Sequence, residues 1–199
     1  MHGIKKILLA TALATTISTL AQASATDITS TKIQNLMRET TGFVLGFKGP
    51  EIGLFMDPNS AGSHTLYEEL VPIIARYRLR VYVVPVGYIK AGSLSKAAAE
   101  MAAPNVQAAI AKDEHDFNAA SGEGGGPGLN PASVGKRRAA EAITLTKRNN
   151  QALKSIGKME TPLIVWETHG RWKAQYRPTG LQMVHILRGI FNGNRHMEN

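Results

Sequence analysis

Residues 52–86 run through a short apolar stretch, a turn, an amphipathic segment and a second apolar stretch rich in β-branched side chains. That succession commits the chain to a sheet containing a parallel strand pair. The first stretch, Ile52-Gly53-Leu54-Phe55-Met56, stops at Asp57-Pro58-Asn59, residues that preset or bond turn backbone. The amphipathic segment opens between Ser60 and His64 and sets Leu66, Leu70, Ile73 and Ile74 at helical spacing, with the kink-forming Pro72 inside it. Leu79-Arg80-Val81-Tyr82-Val83-Val84-Pro85-Val86 then has the near-continuous apolar character of a buried strand. Two strands joined by a helical crossover lie parallel.

The remaining segments extend this unit. Residues 27–41 form a helix with a weak apolar face of Ile33, Leu36 and Met37. Phe43-Val44-Leu45-Gly46-Phe47 is a strand, expected to join the 52–56 strand through a hairpin-like turn at Lys48-Gly49-Pro50. Residues 95–157 are helical in pattern: an alanine-rich stretch over 95–103, a second over 104–117 and a longer helix over 134–153. Between them Ser121-Gly122-Glu123-Gly124-Gly125-Gly126-Pro127-Gly128 is expected to be a flexible loop. It lacks the Gly-Lys-Ser/Thr ending of a phosphate-binding loop. Strands over 163–167 and 172–176 turn through Thr168-His169-Gly170-Arg171, and a helix over 179–191 carries Leu181, Val184, His185 and Leu187 along one side. The fold class is α/β: a mixed sheet with helices on its faces and a helical insertion.

Lys5 and Lys6 precede Ile7-Leu8-Leu9-Ala10, and Ala21-Gln22-Ala23 comes after, the layout of a secretory signal peptide cleaved at about 23–25. The run is too short and too rich in Thr and Ser to span a bilayer. Residues 1–23 contain two lysines and no acids, so the net charge of +8 becomes +6 after cleavage. The basic residues are spread along the chain, which argues against nucleic-acid binding and for solvated helical faces. The expected domain bounds are a signal peptide over 1–23, a linker helix over 26–42 and one domain over 43–199 with its insertion at 95–157.

Ser60-Ala61-Gly62-Ser63 sits where a strand, a turn and a helix start place the paired cysteines of a thioredoxin-type redox centre. The chain has no cysteine at all. Phe55-Met56-Asp57-Pro58-Asn59-Ser60-Ala61-Gly62-Ser63-His64, Val83-Val84-Pro85-Val86-Gly87 and Glu160-Thr161-Pro162-Leu163-Ile164-Val165 together resemble the periplasmic disulfide isomerases and chaperones DsbC and DsbG, over about residues 43–187. The resemblance implies a thioredoxin-like fold whose insertion separates the Arg80 strand from the strand opened by a cis Thr161–Pro162 bond. It also implies that Ser60 and Ser63 hold the two cysteine positions, that Thr161 faces Ser60, and that Ala61, Gly62, His64, Thr161 and Pro162 contact substrate.

Serine cannot do the family's chemistry. A helix N-terminus stabilises an anion by at most about 2 kcal/mol, roughly 1.5 pKa units, which leaves a hydroxyl protonated near neutrality. Thiol–disulfide exchange is therefore excluded. The stretch before residue 43 accommodates a helix only, so the family's N-terminal dimerisation domain is not expected. The serines also have a plain reading as helix caps, and Thr65-Leu66-Tyr67-Glu68 fits a capping box. Ser60 with His64 is a poor hydrolase pair: no nucleophile elbow is present and no carboxylate is placed in sequence to orient the imidazole. His64, His115, His169, His185 and His196 have no metal-ligand spacing, and neither metal nor cofactor is expected. Trp166, Tyr176 and Tyr82 read as sheet packing.

The expected function is that of an exported, redox-inactive thioredoxin-fold protein that binds unfolded or extended polypeptide as a chaperone, adaptor or subunit of a periplasmic secretion or transfer machine. The alternatives are an active disulfide isomerase in which both cysteines have been changed to serine, and a structural interaction module with Trp172 or the glycine loop packed over Ser60.

Overall fold

The computed structural model describes residues 28–46 and 49–194; the expected signal peptide and cleavage site lie outside them. Helix α1 (Ser30–Glu39) leads into β1 (Phe43–Gly46) and β2 (Glu51–Met56), then α2 (Ala61–Tyr77) and β3 (Arg80–Pro85). The insertion comprises α3 (Ser93–Ala102), α4 (Val106–His115), α5 (Pro131–Val134) and α6 (Lys136–Ser155). Strands β4 (Leu163–Thr168) and β5 (Arg171–Tyr176) and helix α7 (Gly180–Asn194) complete it. The five strands order as β1-β3-β2-β4-β5, with β2 and β3 parallel and β4 antiparallel to both β2 and β5.

The β1–β2 hairpin does not form. β1 instead pairs antiparallel with β3, Phe43 opposite Val83 and Gly46 opposite Arg80, so β3 lies between the two strands expected to be partners. The connection from β1 to β2 must pass over the start of β3. Its glycines make that crossing: a Cβ at Gly46 would lie 2.2 Å from Leu79 O, and one at Gly49 2.0 Å from Arg78 O. Gly46 also has φ +91°, a conformation side chains rarely adopt.

Strand alternation divides the core. Ile52, Leu54 and Met56 face α2, α4 and α7, where they meet Leu66, Leu70, Ile110, Ile186 and Ile190. Phe55, Val84 and Val165 face the other way, toward Leu153 and Ile156 of the α6 end and Ile33 and Leu36 of α1. The expected linker helix thus inserts Ile33 and Leu36 into the second core, with Met37 packed against it. α7 is rotated from the face read in sequence: Met183, Ile186, Leu187 and Ile190 are buried, whereas Leu181 is 69% and Val184 42% exposed. The sets Leu181, Val184, Leu187 and Met183, Ile186, Leu187, Ile190 are both helically spaced, so periodicity alone cannot choose the face that packing against the sheet selects.

The glycine loop is tied down. Gly124 N donates to Pro58 O (2.8 Å), Gly125 N to Asp113 O (2.9 Å) and Gly126 N to the Asp113 carboxylate (2.5 Å). A Cβ at Gly124 or Gly126 would fall 1.9 or 2.4 Å from that carboxylate, so its glycines serve close approach. At Gly135 (φ +88°) the expected 134–153 helix breaks into α5 and α6.

Candidate functional site

The C-terminal ends of β2 and β3 and the start of β4 converge on one end of the sheet. Met56 ends β2, and the buried Asp57 carboxylate ties the chain beyond it: it accepts from Asn59 N (2.9 Å), Tyr88 N (2.7 Å) and Ile89 N (2.9 Å). These bonds fix the turn before α2 against the segment after β3. Ser60, extended at φ −113°, ψ 109°, is the N-cap of the 17-residue α2; its Oγ accepts from Ser63 N at 3.1 Å. Such a cap contributes about 1 kcal/mol. Ser63 is fully buried, and its Oγ accepts from Asp57 N at 3.4 Å. The capping box expected at Thr65 is not used: Thr65 lies inside the helix and its hydroxyl donates to Ala61 O (3.0 Å).

The Thr161–Pro162 bond is cis. A Cβ placed on Gly62 would stand 3.1 Å from Pro162 Cδ and 3.9 Å from Ser60 Oγ, so Ser60, Gly62 and Pro162 occupy one small area. Ala61 and Gly62 are exposed. Thr161 is buried, and the Tyr88 hydroxyl donates to its Oγ1 at 3.4 Å; burial raises the Tyr88 pKa. Beside the cis bond a groove of about 270 Å³ runs between Gly62, Thr65 and Glu69 on α2 and Pro162, Arg177 and Thr179. Arg177 N donates to Pro162 O (2.8 Å) and so holds the groove's far wall to the cis proline. At this same end of the sheet lie two exposed apolar residues, Ile89 (42%) after β3 and Leu181 (69%) at the start of α7.

His64 turns away from this groove toward the insertion. Its Nδ1 shares a 2.8 Å hydrogen bond with Glu114 Oε2, and its ring stacks on Phe117 at 4.2 Å with the planes 4° apart. The imidazole is oriented by Glu114 from α4, fifty residues away, and not by Glu68 one helical turn on. No local spacing carries that signal.

Glu114 belongs to a buried acidic group behind the N-terminal half of α2. Asp57, Glu100, Asp113 and Glu114 are all at most 6% exposed. Glu100 Oε1 and Asp113 Oδ2 have no hydrogen-bond partner. Burial, reinforced by Asp113 and Glu68, pushes Glu114 up to about 8. Burial and the neighbouring Asp113, Glu114 and Asp57 push Glu100 well above the carboxylate range, against the opposing pull of Lys96. Asp113 is also raised by burial, with the Gly126 N–H drawing it back. Among the described residues no set of three or more His, Asp or Glu is arranged to hold a metal ion.

The helix start is thus a cap with two hydroxyls and no thiol. It offers backbone groups and a groove, and no group able to attack a disulfide. The glycine loop meets Pro58 and Asn59 (Gly124 N to Asn59 Oδ1, 3.3 Å) and leaves Ala61 and Gly62 open. Trp172 is elsewhere, its backbone N–H donating to Ser30 Oγ (2.8 Å).

No family model matches this sequence, and no curated protein matches it. Solved structures do match. A linker-deletion variant of Proteus mirabilis ScsC superposes with a TM-score of 0.59 at 14% identity, covering 82% of this chain and 80% of that one. A periplasmic thioredoxin-like protein from Salmonella enterica serovar Typhimurium gives 0.54 at 15% identity, with 79% and 94% covered. The thiol-disulfide exchange protein α-DsbA2 from Wolbachia pipientis gives 0.53 at 12% identity, with 79% and 92% covered. At these identities the likeness establishes the thioredoxin-like fold. Among the described residues no helix is long and apolar enough to cross a membrane.

Proposed function

We propose that this chain is a redox-inactive relative of the periplasmic thiol–disulfide exchange proteins that binds extended polypeptide across the Gly62–Pro162 groove. The observation that carries the reading is the pairing of an open groove between Gly62 and Pro162 with a helix start that holds serine at both positions, 60 and 63, and no cysteine. An extended chain lying in this groove can hydrogen-bond its backbone to the groove walls and set its side chains against apolar neighbours, of which Ile89 and Leu181 are exposed at this end. In this reading Ala61, Gly62, Thr161 and Pro162 contact the bound chain. His64 has a positioning role through Glu114.

The same reading covers the finer expectations. The sequence motifs resemble the DsbC and DsbG type, and the matching structures include ScsC and DsbA proteins; in this reading the protein is a carrier of polypeptide in the periplasm, exported through its N-terminal signal. The bound polypeptide is then the client of a chaperone, an adaptor or a subunit of a secretion or transfer machine.

The test is suppression of aggregation of a reduced, unfolding client such as insulin B chain. The native protein is expected to delay light scattering at equimolar ratio. Gly62→Leu, which fills the groove floor 3.1 Å from Pro162 Cδ, is expected to abolish the delay while keeping native circular dichroism. No delay by the native protein, or full protection by the variant, contradicts the reading.

A further inference from the structure

The opposite end of the sheet carries a second concavity. β4 begins at Pro162's neighbour Leu163 and ends at Thr168, so a six-residue strand, about 20 Å, separates this end from the cis proline. Here a groove of about 520 Å³ opens between the β4–β5 hairpin and α7 and reaches around the β5 edge. That volume lies within the about 300–1,000 Å³ typical of small-molecule sites.

Its floor is apolar. Trp166 and Ile186, 8% and 6% exposed, belong to the first core cluster and show one side to the groove. Lys173 stands directly across the strand pair from Trp166, which sets its stem over the indole side of the floor and its ammonium at the rim. His169 and His185 also line the opening, and no carboxylate does. His169 is fixed at its mouth: its Nδ1 shares a 3.0 Å hydrogen bond with Thr168 Oγ1, which also donates to Gly189 O (3.4 Å).

The charge pattern extends beyond the lining. From Thr168 to Asn194 the chain carries Arg171, Lys173, Arg177 and Arg188 and not one Asp or Glu. Arg177 belongs to the cis-proline groove, so Arg171 at the hairpin turn and Lys173 in the lining, with Glu167 the nearest acid in sequence, bias the potential over this groove toward positive. Gly189 keeps its wall open: a Cβ there would meet nothing within 4 Å. A glycine costs an interior helical position about 1 kcal/mol relative to alanine, and here it leaves room.

We propose that this distal groove binds a free small amphiphilic anion, a carboxylate or sulfonate on an aromatic or aliphatic body, with the body against Trp166 and Ile186 and the charge toward Lys173. The site is separate from the polypeptide groove and does not depend on that reading.

The probe is 1-anilinonaphthalene-8-sulfonate, titrated by fluorescence into the folded protein, with dodecanoate as competitor. Saturable one-to-one binding, displaced by dodecanoate, is expected. Lys173→Glu is expected to weaken it about ten-fold, equivalent to about 1.4 kcal/mol. Gly189→Met, which fills open space, is expected to weaken it at least as much; both variants should keep native circular dichroism. Non-saturable fluorescence, or the same affinity in both variants, overturns the proposal. So does co-sedimentation with phosphatidylglycerol vesicles without displacement by dodecanoate, because the partner would then be a lipid surface.

Discussion

Ser60→Cys combined with Ser63→Cys is expected to turn a protein with no thiol–disulfide exchange activity into one that reduces insulin disulfides with dithiothreitol as reductant. The two positions lie within the first turn of α2, with Ser63 N already 3.1 Å from Ser60 Oγ. A sulfur at position 60 takes the N-cap site, where the helix N-terminus favours a thiolate and lowers its pKa below the free value of about 8.5. The buried carboxylates nearby would oppose that anion if ionised. Burial holds Glu100 and Glu114 toward their protonated forms, so the helix effect is expected to win. A sulfur at position 63 alone would sit at a fully buried site and is expected to be inert. Turnover by the double variant supports an intact scaffold that lacks only its reactive atoms. A double variant that folds but stays inactive shows that the groove has diverged beyond catalysis.

The buried acids make the second large prediction. Glu114 rises from an ordinary 4.5 to about 8 in the folded protein. An acid whose folded pKa exceeds its unfolded value contributes stability that is complete below the unfolded pKa and is lost as pH rises through the folded one. The window is therefore pH 4.5 to 8, and stability falls across it. The full separation corresponds to about 5 kcal/mol, but an ionised Glu114 regains part of this from His64 at 2.8 Å. A net loss of about 2 kcal/mol lowers the thermal midpoint by roughly 4–8 °C for a domain of this size. Glu100, raised in the same direction, adds to the trend. Glu114→Gln keeps a hydrogen-bonding partner for His64 and removes the titration, so its midpoint should vary less with pH and exceed the native one at about pH 8.5, above the folded pKa. A native midpoint that rises from about pH 5 to about pH 8.5, or an unchanged slope in the variant, contradicts the assignment.

Periodicity and turn chemistry located the elements near the site because each is specified locally. The 52–86 unit, Ser60 at the helix start and the β4–β5 hairpin all come from contiguous residues. Pairing across distance was not local. β1 takes β3 as its partner, with Gly46 and Gly49 closing on the Leu79 and Arg78 carbonyls, and a three-residue turn signal cannot show that. The His64–Glu114 contact and the buried acids depend on the insertion folding back over α2. In sequence Glu100, Asp113 and Glu114 look like the solvated charges of ordinary helices. The glycine run read as flexible for the same reason: its anchor, Asp113, lies in another segment.

Polypeptide binding at the cis-proline groove is tested most directly by amide chemical-shift mapping with a reduced, unfolded peptide. Perturbations should cluster at Ala61, Gly62 and Thr65, at Thr161 and Leu163, and from Arg177 to Leu181, and should vanish in Gly62→Leu. Perturbations confined to other surfaces, or none at saturating peptide, would contradict the account.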